Sequence, residues 1–337
     1  MTVPTLSRLG QVKGAGDTLA LFKQKAIPEI IGAFERKCLL KGKVKERTIR
    51  GAKEAVFPIT GRMSGRYHDP GTAITGSTNS PSDLNEVKIA LDGLIIADFA
   101  QYELDELMNY YDYRASVTTE LGRALAVEWD KRAFRMVVAA AKRTVSPLGK
   151  AINADRKGYT KTLSAAYTNA ATTKQAKGDE LISAISDAIV AMQEKDVATD
   201  GMCIYVPPAE ADLLLESSRA INADYNGGGG ANGTFGEGVI RRVKGVPVMW
   251  SNHVTQPAYT LQALDRNADY EQDLSKCRAV IFDREAIGVL TLVGIGLDMT
   301  AAKGDYYTMY QSNLMVAKMC IGMGVMRGES AAAIFAP

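Results

Sequence analysis

The 337-residue sequence predicts an α+β fold. Residues 112–143 carry apolar side chains at every fourth position, which is typical of one long amphipathic helix. Residues 85–91 alternate instead between polar and apolar side chains, which is the period of a β-strand. Residues 279–326 are rich in β-forming residues. Because helices and strands do not alternate regularly along the chain, the order favours α+β over a parallel α/β sheet.

The amino-terminal part of the chain is predicted to be a helix followed by an extended arm. Residues 17–40 have helical apolar spacing, with a break or a helix start at Pro28. Residues 44–71 carry β-branched residues, prolines and glycines, and a loop of turn-forming residues joins them to the strand at 85. We therefore expect a long two-stranded arm. An isolated hairpin has too little face to bury in water, so such an arm requires a partner surface.

The helix at 112–143 is predicted to be a spine. At 1.5 Å per residue it is roughly 45 Å long, which is more than a compact core needs. Its apolar stripe predicts that Leu121 and Leu125 are buried against the closing strands.

The rest of the chain gives shorter elements. Residues 144–177 are polar and predict a loop, with a short hairpin at most. The remaining segments have clear helical or strand patterns. They are a helix at 179–195, a strand at 202–206, a short helix at 209–220 and closing strands within 279–299 and 306–326.

A glycine cluster at 222–238 contains G-x-G-x-x-G at Gly228, Gly230 and Gly233. A dinucleotide-binding loop needs a strand before the glycines and a helix after them. Here the predicted order is helix, loop, strand. Because four consecutive glycines are also costly to order, we interpret the cluster as a mobile loop that binds no phosphate.

Composition gives no sign of catalysis, of a cofactor or metal site, or of a membrane segment. The four cysteines are widely spaced and predict reduced, packed thiols. The two histidines stand alone, so the usual general base near neutral pH is nearly missing. No signal peptide or apolar stretch long enough to span a bilayer is visible. The net charge of +2 leaves only weak, local contact with DNA.

Basic and acidic residues are concentrated in two adjacent segments. Residues 36–66 contain ten basic and two acidic residues, whereas residues 83–130 contain eleven acidic and three basic residues. Complementary charge of this kind can pair within one chain or between copies, where it sets register. A solvated charged face is the alternative. Our hypothesis is that the following charges meet between subunits: Lys43, Lys45, Arg47, Arg50, Lys53, Arg62 and Arg66 with Glu103, Asp105 and Glu106.

The order of elements resembles the major capsid proteins of T7-like short-tailed bacteriophages, which adopt the HK97-like capsid fold. The resemblance covers nearly the whole chain. The stretches that carry it are "GDTLALF" (16–22), "AVFPITGRMSGRYHDPG" (55–71), "DGLIIADFAQYELDELMNYYDYRASVTTELGRALA" (92–126) and "MGVMRGESAAAI" (323–334).

The resemblance implies a division of the chain into the parts of that fold. The amino-terminal arm would be 1–40 and the extended loop, or E-loop, 41–102. The peripheral domain would combine 103–177, including the spine helix, with 283–328. The axial domain would combine 178–282 with 329–337. The glycine cluster would then lie in the axial domain.

The resemblance also implies a structural, non-enzymatic function. Many copies would form hexamers and pentamers that enclose double-stranded DNA in an icosahedral phage head, assembled in the host cytoplasm. Scaffolding protein, a portal and possible decoration proteins are the expected partners, with weak contact to packaged DNA. The alternatives are a shell of the same fold, similar to encapsulins, that packages a protein cargo, and a nucleotide-binding enzyme that uses Gly228–Gly233.

Overall fold

The computed structural model describes seven ranges of the chain: 38–59, 66–75, 85–102, 113–144, 157–217, 242–299 and 309–337. These residues form two compact units. The first unit contains the described parts of 1–41, 93–130 and 291–321. The second contains those of 42–92, 131–290 and 322–337.

Within these ranges the chain forms twelve strands and four α-helices. The strands are β1 (Lys45–Thr48), β2 (Glu54–Ile59), β3 (Asn85–Ala90), β4 (Leu94–Tyr102), β5 (Tyr159–Thr162), β6 (Cys203–Val206), β7 (Arg242–Val243), β8 (Val246–Trp250), β9 (Cys277–Phe282), β10 (Ile287–Met299), β11 (Ser312–Val325) and β12 (Ala331–Phe335). The helices are α1 (Tyr113–Lys142), α2 (Ala165–Thr168), α3 (Lys174–Gln193) and α4 (Pro208–Glu216), with a 3-10 turn at Ala268–Tyr270.

The predicted spine helix is confirmed as α1, which is 30 residues long. Alanine and arginine, both good helix formers, supply eleven of its 30 residues. Leu121 and Leu125 are buried as predicted, with 7% and 1% of their surface exposed. Residues 113–130 of α1 belong to the first unit and its remaining turns belong to the second.

One sheet has the strand order β1-β10-β11-β4. β11 pairs antiparallel with β4, from Ser312 opposite Tyr102 to Cys320 opposite Leu94. Exposure alternates along β4 and along residues 314–319 of β11, because successive side chains of a strand point to opposite faces. The more exposed side of this β4–β11 pair carries Leu94, Ile96 and Asp98 of β4 with Leu314, Val316 and Lys318 of β11.

A second, six-stranded sheet has the order β5-β12-β9-β6-β8-β7. It is mixed, since β12 pairs parallel with β5 and antiparallel with β9. Helix α3 contributes Leu181, Ile185 and Ile189 to a core that also contains Ile204 of β6 and Ile281 of β9. All five side chains are fully buried, so apolar burial holds α3 against the sheet.

The alternate residues of β6 enter a separate aromatic cluster. The ring of Tyr205 stacks on Phe282 with centroids 5.9 Å apart and meets the edge of Phe134 at 5.3 Å. Phe134 lies on α1, so α1 contributes to this side of β6 whereas Ile204 faces the core formed with α3.

The prediction of a loop at 144–177 is wrong in its second half. Residues 159–162 form β5, residues 165–168 form α2, and α3 begins at Lys174 rather than at 179. Among the described strands, β5 pairs only with β12, which is far away in sequence, so no local pattern marks it. Helix α3 begins earlier because the side chain of Thr173 accepts from the backbone N–H of Ala176 and caps its first turn.

The closing region also differs from its prediction. Residues 279–299 form two strands, β9 and β10, which a turn at 283–286 sends into different sheets. The predicted strand at 202–206 and short helix at 209–220 are confirmed as β6 and α4, with α4 ending earlier, at Glu216. The predicted helix at 17–40 falls almost wholly outside the described residues, and the glycine cluster at 222–238 falls entirely outside them.

Candidate inter-subunit surface

The predicted arm contains a two-stranded antiparallel hairpin of β2 and β3. Its register runs from Glu54 opposite Ala90 to Ile59 opposite Asn85. Three large apolar side chains of the pair are almost fully buried: Phe57, Val87 and Ile89. Because Glu86 and Lys88 alternate with them and are exposed, the base of the hairpin is amphipathic.

Three glycines of β10 and β11 pack against the base of the hairpin. A Cβ at Gly324 would lie 2.7 Å from Cγ1 of Ile89, and one at Gly288 would lie 2.9 Å from its Cδ1. A Cβ at Gly322 would lie 2.2 Å from the carbonyl oxygen of Ala90. These separations are shorter than any side chain tolerates, so the glycines let β3 approach β10 and β11 closely.

A buried charged cluster fixes Asp92, two residues after β3. One oxygen of its carboxylate accepts from the Tyr270 hydroxyl at 2.6 Å and the other from the Arg266 backbone N–H at 3.0 Å. Arg132 on α1 lies 3.7 Å from Asp92 and 2.8 Å from Asp265. Burial raises the pKa of Asp92, although these hydrogen bonds and Arg132 oppose the increase.

A second buried carboxylate, Asp130, holds the segment 38–40. It accepts from the backbone N–H groups of Leu39 and Leu40, at 3.0 and 3.3 Å, and from the Cys38 thiol at 3.3 Å. Burial raises the pKa of Asp130 to about 6, although these hydrogen bonds oppose the shift.

Asp92 and Asp130 belong to the acidic excess of 83–130, yet both are buried inside the subunit. The interpretation of that whole segment as acidic surface is therefore wrong at these two positions. Their partners, such as Arg132 and Leu39, are distant in sequence, so no spacing in the sequence marks the two aspartates as buried.

The predicted basic contact residues are mostly at the surface. Lys45, Arg50, Lys53 and Arg66 are exposed. Arg47 is also exposed, and its guanidinium donates to the Val56 carbonyl at 3.3 Å and lies 6.0 Å from the centre of the Phe57 ring. The structure thus connects β1 to the hairpin through Arg47.

Lys43 differs from the other predicted bases because it contacts residues of its own chain. Its ammonium lies 5.4 Å from the centre of the Tyr205 ring and 2.7 Å from the sulfur of Met249. The remaining predicted contact residues, Arg62, Glu103, Asp105 and Glu106, lie outside the described ranges.

The described part of the arm between its strands is exposed at every position from 66 to 75. It contains a turn in which Thr72 donates its backbone N–H to the Asp69 carbonyl at 3.2 Å and its hydroxyl to the same oxygen at 2.7 Å. Pro70 fixes one dihedral angle, and Gly71 has a φ of 89°, as a type II turn requires. Tyr67 and Ile74 flank this turn.

Metal ligands, cysteines and apolar helices are the remaining features of the described residues. These residues contain no cluster of three or more histidine, cysteine or acidic residues that could hold a metal. The four cysteines are thiols rather than disulfides, and Cys203, Cys277 and Cys320 are buried as predicted. No described helix is both long and apolar enough to cross a membrane.

The sequence profile of the Gp10A-like major capsid protein family matches residues 56–335, which include most of the hairpin, α1, the six-stranded sheet and strands β4, β10 and β11 of the other sheet. The chain belongs to this family of phage major capsid proteins.

The major capsid protein of Escherichia phage T7 is 26% identical to this chain over 336 residues, covering 96% of this chain and 94% of the T7 protein. The capsid structure of cyanophage P-SCSP1u is also 26% identical, with a TM-score of 0.74 over 100% of this chain and 99% of the other. The mature capsid of bacteriophage PhiM1 has a TM-score of 0.70 at 18% identity, over 88% and 86% of the two chains.

These findings confirm the predicted α+β fold as the HK97-like capsid fold and the function as that of a T7-like major capsid protein. The protein is therefore a self-assembling structural subunit of a phage virion. The similarity to T7-like capsids supports the phage shell and not the cargo-packaging shell.

Proposed function

We propose that residues 41–102 of this major capsid protein form an inter-subunit arm, the E-loop. The observation that carries the proposal is the exposure of the described arm from 66 to 75, beyond a hairpin whose base is buried. Exposed apolar residues on an extended hairpin gain stability when a second surface covers them. In an assembled shell, a neighbouring copy supplies that surface.

Charge complementarity determines where the arm lies on the adjacent copy. In this proposal the exposed bases of the arm meet acidic residues on the adjacent copy. The basic residues are Lys43, which precedes β1, and Lys45, Arg47, Arg50, Lys53, Arg62 and Arg66. The acidic partners are Glu103, Asp105 and Glu106. An exposed ion pair contributes only about 0–1 kcal/mol, so the effect depends on several pairs repeated in every copy.

The other segments of the chain form the remaining domains of the capsid subunit in this proposal. Residues 1–40 serve as the amino-terminal arm, 103–177 with 283–328 as the peripheral domain, and 178–282 with 329–337 as the axial domain. Hexamers and pentamers enclose double-stranded DNA, with which the shell makes weak, non-specific contact. Assembly takes place in the host cytoplasm with a scaffolding protein and a portal, and decoration proteins join the finished shell.

The test is a combined reversal of Lys45→Glu, Arg47→Glu and Arg50→Glu. The subunit is expected to fold, because these side chains are exposed, but closed particles should fail to form or should dissociate at raised salt. Sedimentation measures assembly and circular dichroism measures folding.

The matched control reverses three exposed bases of the second unit outside the arm: Lys174→Glu, Lys276→Glu and Arg284→Glu. This variant carries the same change in net charge. If both triple variants assemble equally well, or equally poorly, the charges of the arm have no specific role and the proposal is wrong.

A further inference from the structure

We propose that a cavity beside the base of the hairpin binds a phosphate group through Lys88, Arg143 and Arg266. The inference deepens the proposed weak contact with packaged DNA, and it rests on that contact for one source of the phosphate. It assigns the contact to one cavity of the second unit rather than to charges scattered over the surface.

The cavity has the size of a ligand site. Its volume is about 390 Å³, and pockets of roughly 300–1,000 Å³ are typical of ligand sites in proteins. Val87, Ala90, Gly324 and Val325 supply its apolar wall. All the lining residues belong to the second unit, so the cavity lies within one compact body. A phosphate group fills only part of this volume, which leaves room for the sugars that a phosphodiester joins.

Three parts of the chain that are distant in sequence bring basic side chains to the cavity. Lys88 lies on β3, and Arg143 directly follows α1. The backbone N–H of Arg266 donates to the carboxylate of Asp92 at 3.0 Å, and the side-chain amide of Asn267 donates to a backbone carbonyl of β11 at 2.9 Å. These hydrogen bonds hold the segment that carries Arg266, so little ordering of the backbone is needed when a ligand binds.

The charged residues that line the cavity are three bases and two acids. The acids are Glu86 and Asp269. Asp269 lies 3.8 Å from Arg143, so these two charges largely offset each other. The side chains of Lys88 and Arg266 are exposed and form no ion pair within the described ranges. Two uncommitted bases against Glu86 leave a positive potential in the cavity, which favours an anion.

Two neighbouring features oppose an anion. The carboxyl end of α1, just before Arg143, carries a partial negative charge. Asp92 and Asp265 are also close to the segment at 266, but Arg132 lies 3.7 Å from the first and 2.8 Å from the second and offsets much of their charge. None of these groups lines the cavity, whereas the three bases do, so direct contacts with the bases dominate.

Phosphate is the anion that this set of donors suits. A guanidinium presents a planar fork of donors that binds two phosphate oxygens at once, and a lysine adds a mobile point charge. Bases that come from three elements match the tetrahedral oxygens of a phosphate better than the planar oxygens of a carboxylate. The DNA backbone and free inorganic phosphate both present this group.

The first test measures binding of a short, fluorescently labelled DNA duplex to the unassembled full chain. Lys88→Gln combined with Arg266→Gln should weaken binding about tenfold or more, because each base makes a charge-assisted contact with phosphate. Lys276→Gln combined with Arg284→Gln makes the same change in charge at exposed bases outside the cavity and should have little effect. Circular dichroism measures folding of both variants.

The second test uses Asp269→Asn, which removes the acid beside Arg143. This variant should bind the duplex about two- to fivefold more tightly, because the guanidinium is released from its ion pair. Asp200→Asn makes the same chemical change at an exposed residue outside the cavity and should alter binding less. Equal binding by these two variants would overturn the assignment of Arg143 to the site.

Phosphorus NMR of inorganic phosphate distinguishes the two sources of the ligand. If the Lys88→Gln and Arg266→Gln variant loses both phosphate line broadening and duplex binding, the site accepts the DNA backbone. If it loses the line broadening alone, the site accepts free phosphate. If it matches the Lys276→Gln and Arg284→Gln control with both probes, the proposal is wrong. Sedimentation measures particle formation separately, so that result would leave the proposed shell function standing.

Discussion

The hydroxyl of Tyr270 donates to the carboxylate of Asp92 across 2.6 Å, although the two residues are 178 positions apart. The same hydroxyl oxygen accepts from the backbone N–H of Met323 at 3.1 Å. Tyr270 therefore joins the residue that follows the hairpin to the end of β11. These two hydrogen bonds hold the base of the hairpin within the second unit, where Gly288, Gly322 and Gly324 also let β3 pack closely.

We expect Tyr270→Phe to lower the free energy of unfolding by about 1–3 kcal/mol. The substitution leaves a buried carboxylate with one donor fewer and a backbone N–H without its acceptor. Chemical denaturation of the unassembled subunit measures the loss. Tyr67→Phe removes a hydroxyl from an exposed tyrosine and should change stability little. Equal stability of the two variants would show that the Tyr270 hydroxyl contributes nothing.

Gly324→Ala should destabilise the unassembled subunit by about 1–3 kcal/mol, because the new methyl group overlaps Ile89 of the hairpin. Gly294→Ala is the matched control, since a methyl group there meets open space. Combining Gly324→Ala with Ile89→Ala should cost less than the sum of the two single substitutions, because alanine lacks the Cγ1 that the new methyl group overlaps. If the two substitutions are simply additive in thermal unfolding, the contact between them is not what Gly324 provides.

Leu125→Ala should cost about 2–5 kcal/mol, since Leu125 is 1% exposed on α1. Leu264→Ala makes the same chemical change at a residue that is 60% exposed and should cost little. Denaturant unfolding of soluble subunits compares the two variants, and the yield of soluble protein supplements it. A loss at Leu125 no larger than that at Leu264 would contradict its place in the core.

Stability should depend on pH through Asp130, whose pKa burial raises to about 6. Since the folded state holds this proton more tightly than the unfolded state, Asp130 adds stability below about pH 4. That contribution is lost as the pH rises through about 6, and it amounts to roughly 2–3 kcal/mol. The wild type should therefore gain stability between pH 7 and pH 5 relative to Asp130→Asn, which cannot titrate.

Asp200→Asn is the control for this pH dependence because Asp200 is exposed. If the difference in stability between Asp130→Asn and the wild type changes with pH no more than that of Asp200→Asn, the pKa of Asp130 is not raised in the folded subunit.

Local sequence patterns predict the long elements because those elements repeat one pattern over many residues. The four-residue step predicts α1 to within about one residue at each end, and the two-residue alternation predicts β3. Residues 159–162 illustrate the opposite case. They form a strand only because β12 lies beside them, and β12 is contributed by the far end of the chain.

The candidate interface also combines features that local sequence patterns predict with features that depend on distant contacts. Composition locates the basic arm, and its exposed bases are found where the charge pattern places them. The pattern does not reveal that Lys43 contacts Tyr205, or that Asp92 and Asp130 are internal, because their partners are distant in sequence. Tyr67 and Ile74 are distinguished from buried apolar residues only by their exposure, which is a property of the folded chain.

The α+β class, the spine helix and the resemblance to phage capsid proteins follow from local sequence patterns, because periodicity and motifs are carried by neighbouring residues. The folded chain alone reveals which charges are buried, how Ile89 fits against Gly288 and Gly324, and which apolar side chains remain exposed. These features depend on contacts between residues that are far apart in the chain, and close packing makes each of them sensitive to a single methyl group.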